Sequence, residues 1–229
     1  MISITSEYYV DHDFSGEDLQ DHHFSDCHFY RCNFSRCELT DSLFERCQFL
    51  QTGEPGRDEP GREELSGCDF SYATLTNCQF KACNLSLSQF TGSRCFGAEF
   101  HACNLKGSDF QRASFSNYIS QKHYFCSGAI KESNLSYANL GGLLLEECEL
   151  TDNRWSGADL RGASLRGANL SGGEFSPEQW GCFDLRGADL TRVELSELDP
   201  RTVALDGVII SHWQQSQLLE TLGLIITSD

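Results

Sequence analysis

The sequence is short of basic residues. Lysine and arginine total 17 against 34 aspartates and glutamates, which gives a formal net charge of -17. Because phosphate groups repel such a surface, we expect no direct binding of nucleic acid. The same charge favours a partner with a basic groove, since a strong negative field accelerates encounter with positive surfaces.

Long apolar runs are also missing. Residues 1–14 contain no basic region followed by an apolar stretch, and no segment approaches the roughly 18 apolar residues of a membrane span. We therefore expect a cytoplasmic protein without membrane contact. The twelve cysteines would indicate a disulfide scaffold in a short secreted chain, but without a secretion signal we expect reduced thiols.

Motifs for catalysis and cofactor binding are absent as well. The sequence has no glycine-rich nucleotide loop and no nucleophile motif. Acidic pairs such as Glu146-Glu147 have neighbours pointing in different directions, so they do not form a glycosidase-type pair. The four N-terminal histidines lack liganding spacing and are interpreted as solvated or capping residues: His12, His22, His23 and His28. We expect no enzyme activity, no cofactor and no metal.

A period of five residues runs through almost the whole chain. Bulky apolar residues recur at every fifth position from Phe14 to Phe49, from Phe70 to Phe115 with Cys95 as the exception, and from Phe125 to Leu195. Fourteen of the sixteen phenylalanines fall on this grid. The bulky residue is the central position of each repeat. The position two residues before it holds Ala, Cys, Ser or Gly in 24 of 33 repeats. No helix keeps one face at that spacing, so the repeat decides the fold.

A backbone that turns a corner after every five residues explains both columns, because one large and one small side chain then point inward from each face. Four faces make a coil of twenty residues, so Phe14 and Phe34 stack at the strand spacing of about 4.8 Å. Nine of the twelve cysteines occupy the small column, which favours buried hydrophobic roles. We predict an all-β solenoid, a right-handed quadrilateral parallel β-helix, over residues 1–211, followed by a tail over residues 212–229.

Three consecutive repeats match the A(D/N)LXX motif of pentapeptide-repeat proteins: residues 158–162, 163–167 and 168–172. More narrowly, the chain resembles the Qnr quinolone-resistance proteins in its two interrupting loops, its Tyr124-Phe125-Cys126-Ser127 segment and its tail with Trp213-Gln214-Gln215 and Leu218-Leu219-Glu220. The resemblance implies a homodimer that binds DNA gyrase and topoisomerase IV and protects them from quinolones.

The first loop covers residues 50–67, where the spacing from Phe49 to Phe70 is twenty-one and the register shifts. Its centre duplicates Glu-Pro-Gly-Arg, which opposes strand pairing. It is either a tolerated, solvated insertion or a partner-contacting loop on a rigid scaffold. The candidate partner-binding residues are Gly53, Glu54, Gly56, Arg57, Asp58 and Arg62.

The second loop covers residues 116–124, replaces one repeat and is expected to bulge from a single corner. Its mixture of aromatic and basic groups is typical of an interface anchor, and the resemblance implies contact with type II topoisomerases. The alternative is that Ile119 and Tyr124 pack back on the wall. The candidate residues are Tyr118, Ser120, Gln121, Lys122, His123 and Tyr124.

In the tail, the apolar pattern predicts a helix over residues 212–222 and a short strand over residues 224–226. An open solenoid end needs a cap, and the resemblance implies capping by dimerisation. An intramolecular cap is the alternative. The candidate dimerisation residues are Trp213, Leu218, Leu219, Leu222, Leu224 and Ile226.

Two rivals to drug protection stay open at this point. One is a DNA-mimicking topoisomerase inhibitor without drug-rescue activity, which the acidic rod favours. The other is a scaffold for an unrelated protein partner.

Overall fold

The computed structural model describes residues 2–50, 67–120 and 123–227. The described chain is built from short strands that stack along one axis, with one helix near its C-terminal end. The elements are β1 (Ile2–Thr5), β2 (Tyr8–Val10), β3 (His22–Ser25), β4 (His28–Tyr30), β5 (Leu43–Glu45), β6 (Gln48–Leu50), β7 (Gln79–Lys81), β8 (Glu99–His101), β9 (Ser116–Ser120), β10 (His123–Cys126), β11 (Ala129–Lys131) and α1 (Gln215–Thr221).

The strands form two parallel sheets and one antiparallel hairpin. The larger sheet has the order β1-β3-β5-β7-β8-β11, and the smaller has the order β2-β4-β6, while β9 and β10 form the hairpin. Residues twenty apart are partners, as in Phe24 with Phe44, and single parallel bridges continue the stack as far as Asp189 with Ile209. The parallel β-solenoid predicted from the five-residue period is confirmed.

The core is a set of stacked ladders, in which phenylalanines predominate up to Phe115 and leucines after it. In one ladder the ring centroids of successive residues lie 4.6, 4.9, 5.1 and 4.6 Å apart, and every ring is at most 4% exposed. Its members are Phe14, Phe34, Phe70, Phe90 and Phe110. Each fully buried large side chain contributes roughly 1.5–3 kcal/mol of hydrophobic stabilisation, so stability is distributed along the axis.

Most corners place a left-handed residue at the third position of the turn. At one of them the amide of Glu17 donates to the carbonyl of Phe14 at 3.0 Å, and Gly16 has φ +71°, as a type II turn requires. Bulky residues also occupy these corners. Tyr72 has φ +59°, and its ring covers Gly92 one coil later, where a Cβ atom would lie 2.6 Å from it.

Two insertions interrupt the coils, and the ladder spacing measures their lengths. Asn33 pairs with Asp69, so sixteen residues are added to the regular twenty, and Asp109 pairs with Asn139, so ten are added. The first predicted loop begins one residue too early, because Leu50 is buried and is the last residue of β6, where it pairs with Tyr30. The strand thus continues to the edge of the insertion.

The second insertion is longer and more regular than the sequence indicates. Residues 116–120 and 123–126 form the antiparallel pair β9 and β10 instead of an irregular loop, and we call this pair the hairpin. The hairpin closes at its base, where the amide of Ser127 donates to the carbonyl of Phe115 at 3.0 Å. Phe125 was predicted to lie in the core, and this is wrong, since it belongs to β10 and is 45% exposed.

The C-terminal end carries a 3₁₀ turn at His212–Gln214 that leads into α1, which confirms the predicted helix. Gln214 is fully buried, and its Nε2 donates to the carbonyls of Leu190 and Val193 at 2.8 and 2.6 Å. The predicted strand over residues 224–226 is wrong for the described chain, in which residues 224–227 have no strand assignment. A strand needs a neighbouring backbone, and none pairs with this segment.

Candidate protein-binding surface

The hairpin presents aromatic and apolar groups to solvent. Tyr118 is 58% exposed and Ile119 is 77% exposed. Tyr118 and Tyr124 are register partners, and their ring centroids lie 5.5 Å apart. Near the tip, Ser120 Oγ and His123 Nδ1 lie 3.0 Å apart. The structure therefore brings four predicted site residues together, while Gln121 and Lys122 lie outside the described residues.

The base of the hairpin is anchored on the wall of the solenoid. The ring of Phe125 meets Phe96 edge-on, with 5.2 Å between centroids. Desolvation and the nearby Glu146 carboxylate raise the pKa of the Tyr124 phenol, and at 36% exposure this side chain is less exposed than Tyr118 or Ile119. Glu146 in turn accepts a hydrogen bond from Ser164 Oγ at 2.7 Å. The alternative in which the loop packs back on the wall applies in part to Tyr124 and fails for Ile119.

A groove lies on the wall at the foot of the hairpin. It is lined mainly by hydroxyl and charged groups, namely Glu38, Thr40, Thr74, Thr76, Arg94 and Ser114. Arg94 donates to Thr74 Oγ1 at 2.9 Å and lies 4.0 Å from Glu38. Phe96 also lines the groove, which is open and presents both polar and apolar surface, so it suits a protein surface better than an enclosed small molecule.

The first insertion leaves the solenoid at the corner diagonally opposite the hairpin. Its described anchor points are Leu50 and Gly67, whose amide donates to the Phe49 carbonyl at 2.8 Å. The six residues predicted to contact a partner there lie outside the described residues: Gly53, Glu54, Gly56, Arg57, Asp58 and Arg62. Their role stays a prediction.

The C-terminal tail has an exposed apolar surface. The exposed side chains are Trp213 (51%), Leu219 (38%), Leu222 (41%), Leu224 (53%), Ile225 (92%) and Ile226 (45%). Leu218 differs from the other predicted dimerisation residues, because it packs against the core. The tail therefore forms an intramolecular cap on the rod and still exposes apolar area. An intramolecular cap and capping by dimerisation are thus compatible.

The cysteines and histidines do not gather into a metal site. Within the described part of the chain, no group of three or more His, Cys, Asp or Glu side chains is placed to hold a metal ion. All twelve cysteines are free thiols, ten of them buried. Burial raises the pKa of Cys37 and Cys95 to about 12, so these thiols are protonated and inert.

Opposite charges alternate along some corners. Arg31 contacts Asp11 at 2.6 Å, and Arg46 contacts Asp26 at 2.8 Å, in each case from one coil to the next. The guanidinium hydrogen bonds lower the pKa values of both aspartates. Each of these arginines neutralises an aspartate on the neighbouring coil. The remaining acidic groups therefore dominate the electrostatic potential around the rod.

Sequence reasoning missed several residues of this surface. Ile119 was treated only as a packing residue, and Phe125 only as core. The added length of ten residues is a multiple of five, so it leaves the periodic grid unchanged and hides the hairpin. Phe96 carried a usable signal, because it is one of two phenylalanines off the grid.

No helix among the residues that the structure describes has both the length and the apolar composition needed to cross a bilayer.

The protein is a repeat solenoid. Each coil has twenty residues, the repeat is five residues long, and small inward residues lie beside large ones. The family described as pentapeptide repeats matches eight copies, over residues 13–46, 64–94, 93–117, 131–167 and 144–176. The QnrB1 structure, described as a plasmid-mediated fluoroquinolone resistance protein, superposes with a TM-score of 0.83 at 38% identity and covers 97% of this chain and 100% of that one. The chain belongs to the pentapeptide-repeat family and, within it, to the Qnr group.

Two further relatives are similar over part of their length. Pentapeptide repeat protein VPA0095 of Vibrio parahaemolyticus is 46% identical over 142 residues, which span 62% of this chain and 66% of that protein. Quinolone resistance pentapeptide repeat protein QnrB96 of Scandinavium goeteborgense is 38% identical over 128 residues, or 54% of this chain and 60% of that one. The aligned segments thus span less than two thirds of these relatives.

Proposed function

We propose that this protein binds the type II topoisomerases, DNA gyrase and topoisomerase IV, and protects them from quinolone antibiotics. The observation that carries the proposal is the exposed aromatic hairpin at one corner of an acidic rod. Tyrosine-rich projections are typical energetic centres of protein interfaces. Membership of the Qnr group, with relatives named for quinolone resistance, supports the drug class, and the topoisomerase targets are part of the proposal.

The rod and the hairpin have separate tasks in this mechanism. The acidic rod is attracted to the basic surface on which a topoisomerase binds DNA, because complementary potentials accelerate and orient encounter. The hairpin, with Tyr118 and Ile119 outward, contacts the enzyme and destabilises the drug-trapped cleavage complex. The action is binding without catalysis, in the cytoplasm, where the topoisomerases act.

The C-terminal tail makes the homodimer in this proposal. Trp213, Leu222 and Leu224 expose apolar area beside the helix cap, and burying it removes that area from water. We expect Trp213→Ser with Leu222→Ser to yield monomers in sedimentation equilibrium, while the parent protein sediments as a dimer. A parent that is monomeric at micromolar concentration contradicts this part of the proposal.

A supercoiling assay with gyrase and ciprofloxacin tests the function. The structure indicates a clean deletion, because removing residues 116–125 deletes the ten surplus residues and leaves Cys126 and Ser127 to make an ordinary corner. We expect the intact protein to restore supercoiling under drug and the deletion to lose most of this rescue. Tyr118→Ala with Ile119→Ala should lose rescue without loss of stability, since both side chains are exposed.

The acidic rod also favours a second candidate, a DNA-mimicking inhibitor of the same enzymes. The assay without drug separates the two functions: strong inhibition of supercoiling favours the inhibitor, and little inhibition with rescue under drug favours protection. If the intact protein has no effect on either topoisomerase, both candidates fail. If the deletion variant restores supercoiling as well as the intact protein does, the hairpin is not the active element.

A further inference from the structure

The charge of the rod is distributed unequally over its four faces. One face, which we call the acid-free face, comprises residues 27–31, 47–50, 83–87, 103–107, 133–137 and 153–157. It contains Arg31, Lys106 and Arg154 and no aspartate or glutamate among these described residues. On the adjoining coils of the same face, Asp11 and Glu174 pair with Arg31 and Arg154. Between them, six described segments without a carboxylate side chain are a marked asymmetry on a chain with net charge -17.

The opposite face carries much of the negative charge. This acidic face comprises residues 17–21, 37–41, 73–77, 93–97, 113–115 and 143–147. Seven acidic side chains against Arg94 give it a net charge of -6: Glu17, Asp18, Asp21, Glu38, Asp41, Glu146 and Glu147. Residues ten apart lie half a coil apart, so the two faces point in opposite directions and the rod has a transverse charge dipole.

The hairpin stands beside the acidic face and not beside the acid-free one. Ser116, the first residue of β9, directly follows Phe115 at the last corner of the acidic face. The open groove at the foot of the hairpin, lined by Glu38, Arg94 and Phe96 among others, lies on the same face. A single partner surface can therefore touch the hairpin and the acidic face together.

We infer that the acidic face and the hairpin form one docking surface for a basic protein surface, and that the acid-free face is turned away from the partner. The field of a dipolar rod orients it before contact, so the acidic face leads the approach. The inference rests on the proposed function only for the identity of the partner. If charge alone governed binding, all faces would contribute according to their net charge.

Isosteric exchanges of Asp and Asn test the inference with matched variants. Asp18→Asn with Asp41→Asn removes two charges from the acidic face. Asp18 accepts a hydrogen bond from the Gln20 amide at 3.2 Å, and Asp41 accepts one from Asn77 Nδ2 at 3.0 Å. The side-chain oxygen of asparagine can accept both bonds equally. Asn84→Asp with Asn134→Asp adds two charges to the acid-free face. A carboxylate fits at such a position. The Asn134 side chain accepts a hydrogen bond from the backbone amide two residues later, and Asp69 accepts the same bond with its carboxylate.

Binding to the gyrase holoenzyme is measured by biolayer interferometry at low and physiological salt. We expect the acidic-face pair to weaken binding about three- to tenfold, in line with a few exposed interfacial charges, and the acid-free-face pair to leave it within about twofold. The fourfold variant, which keeps the net charge at -17, should bind as weakly as the acidic-face pair. Thermal melting of all three variants should match the parent.

Equal and opposite effects of the two pairs, or parent-like binding of the fourfold variant, would overturn the inference. Retention on an anion-exchange resin gives a second readout that needs no topoisomerase, since the resin is itself a basic surface. There the acidic-face pair and the fourfold variant should both elute at lower salt than the parent. If gyrase does not bind the intact protein, the proposed function fails, while the resin still decides which face leads.

Discussion

Removing the ring of Phe100 tests the phenylalanine ladder most directly. The ring is fully buried, it stacks on Phe80 with 5.0 Å between centroids and an interplanar angle of 3°, and it meets Phe90 and Phe110 edge-on at 5.7 and 5.9 Å. Truncating a buried phenylalanine to alanine costs about 3–5 kcal/mol, because burial is lost and a cavity remains. The aromatic pairs are part of that loss.

The expected signal follows from the length of the chain. For a chain above 150 residues, 1 kcal/mol moves the melting temperature by about 2–4 °C, so Phe100→Ala should lower it by about 6–20 °C. Phe100→Leu should cost about 1.5 kcal/mol or less, since Ile130 already stacks directly on this position. Phe100→Asp should prevent stable folding, because an unpaired charge in the dry core costs several kcal/mol more.

Phe125 supplies the control, because the five-residue grid treats it like Phe100 while the structure places it outside the core. Phe125→Ala loses an edge contact with Phe96 at an exposed site and should cost under about 1 kcal/mol. Thermal melting followed by circular dichroism compares the variants. Equal losses for the two phenylalanines, or Phe100→Ala melting within 2 °C of the parent, would refute the ladder as the source of stability.

Three further outcomes follow from local geometry. Gln214→Ala should cost about 2–3 kcal/mol in thermal melting, since it orphans two buried carbonyls at the capped end; unchanged melting would contradict the capping role. Gly92→Ala should be more destabilising than Gly16→Ala, because only the first Cβ would collide with a neighbouring ring, and equal costs would show that φ alone decides. In native protein, a thiol reagent should modify Cys182 fast and the ten buried cysteines only on unfolding; rapid labelling of several thiols would contradict the packed small column.

The two insertions show how far periodicity predicts structure. The first shifts the register by one position between Phe49 and Phe70, and the sequence therefore located it to within one residue of the end of β6. The second adds ten residues, which is two whole repeats, so Phe125 falls on the grid by coincidence. Only pairing between residues thirty apart, such as Ala129 with Glu99 and Asp109 with Asn139, shows that the chain has left the coil.

At the C-terminal end, local patterns predicted the helix but not the cap. The apolar spacing indicated α1 correctly, whereas Gln214 looked like an ordinary polar residue of the tail. Its burial depends on two carbonyls that lie more than twenty residues earlier in the chain. The strand predicted over residues 224–226 failed because strand propensity forms a strand only where another backbone offers hydrogen bonds.

The sequence by itself determined the solenoid, its inward columns and its acidic character, because a five-residue alternation of large and small side chains can bury its apolar groups only in a square coil. The tertiary structure decided which residues leave that coil, which corner carries the hairpin and which faces oppose one another. These features depend on stacking between residues twenty or thirty apart, a long-range property that local patterning does not encode. The transverse dipole between the acidic and acid-free faces becomes visible only when the coils are stacked.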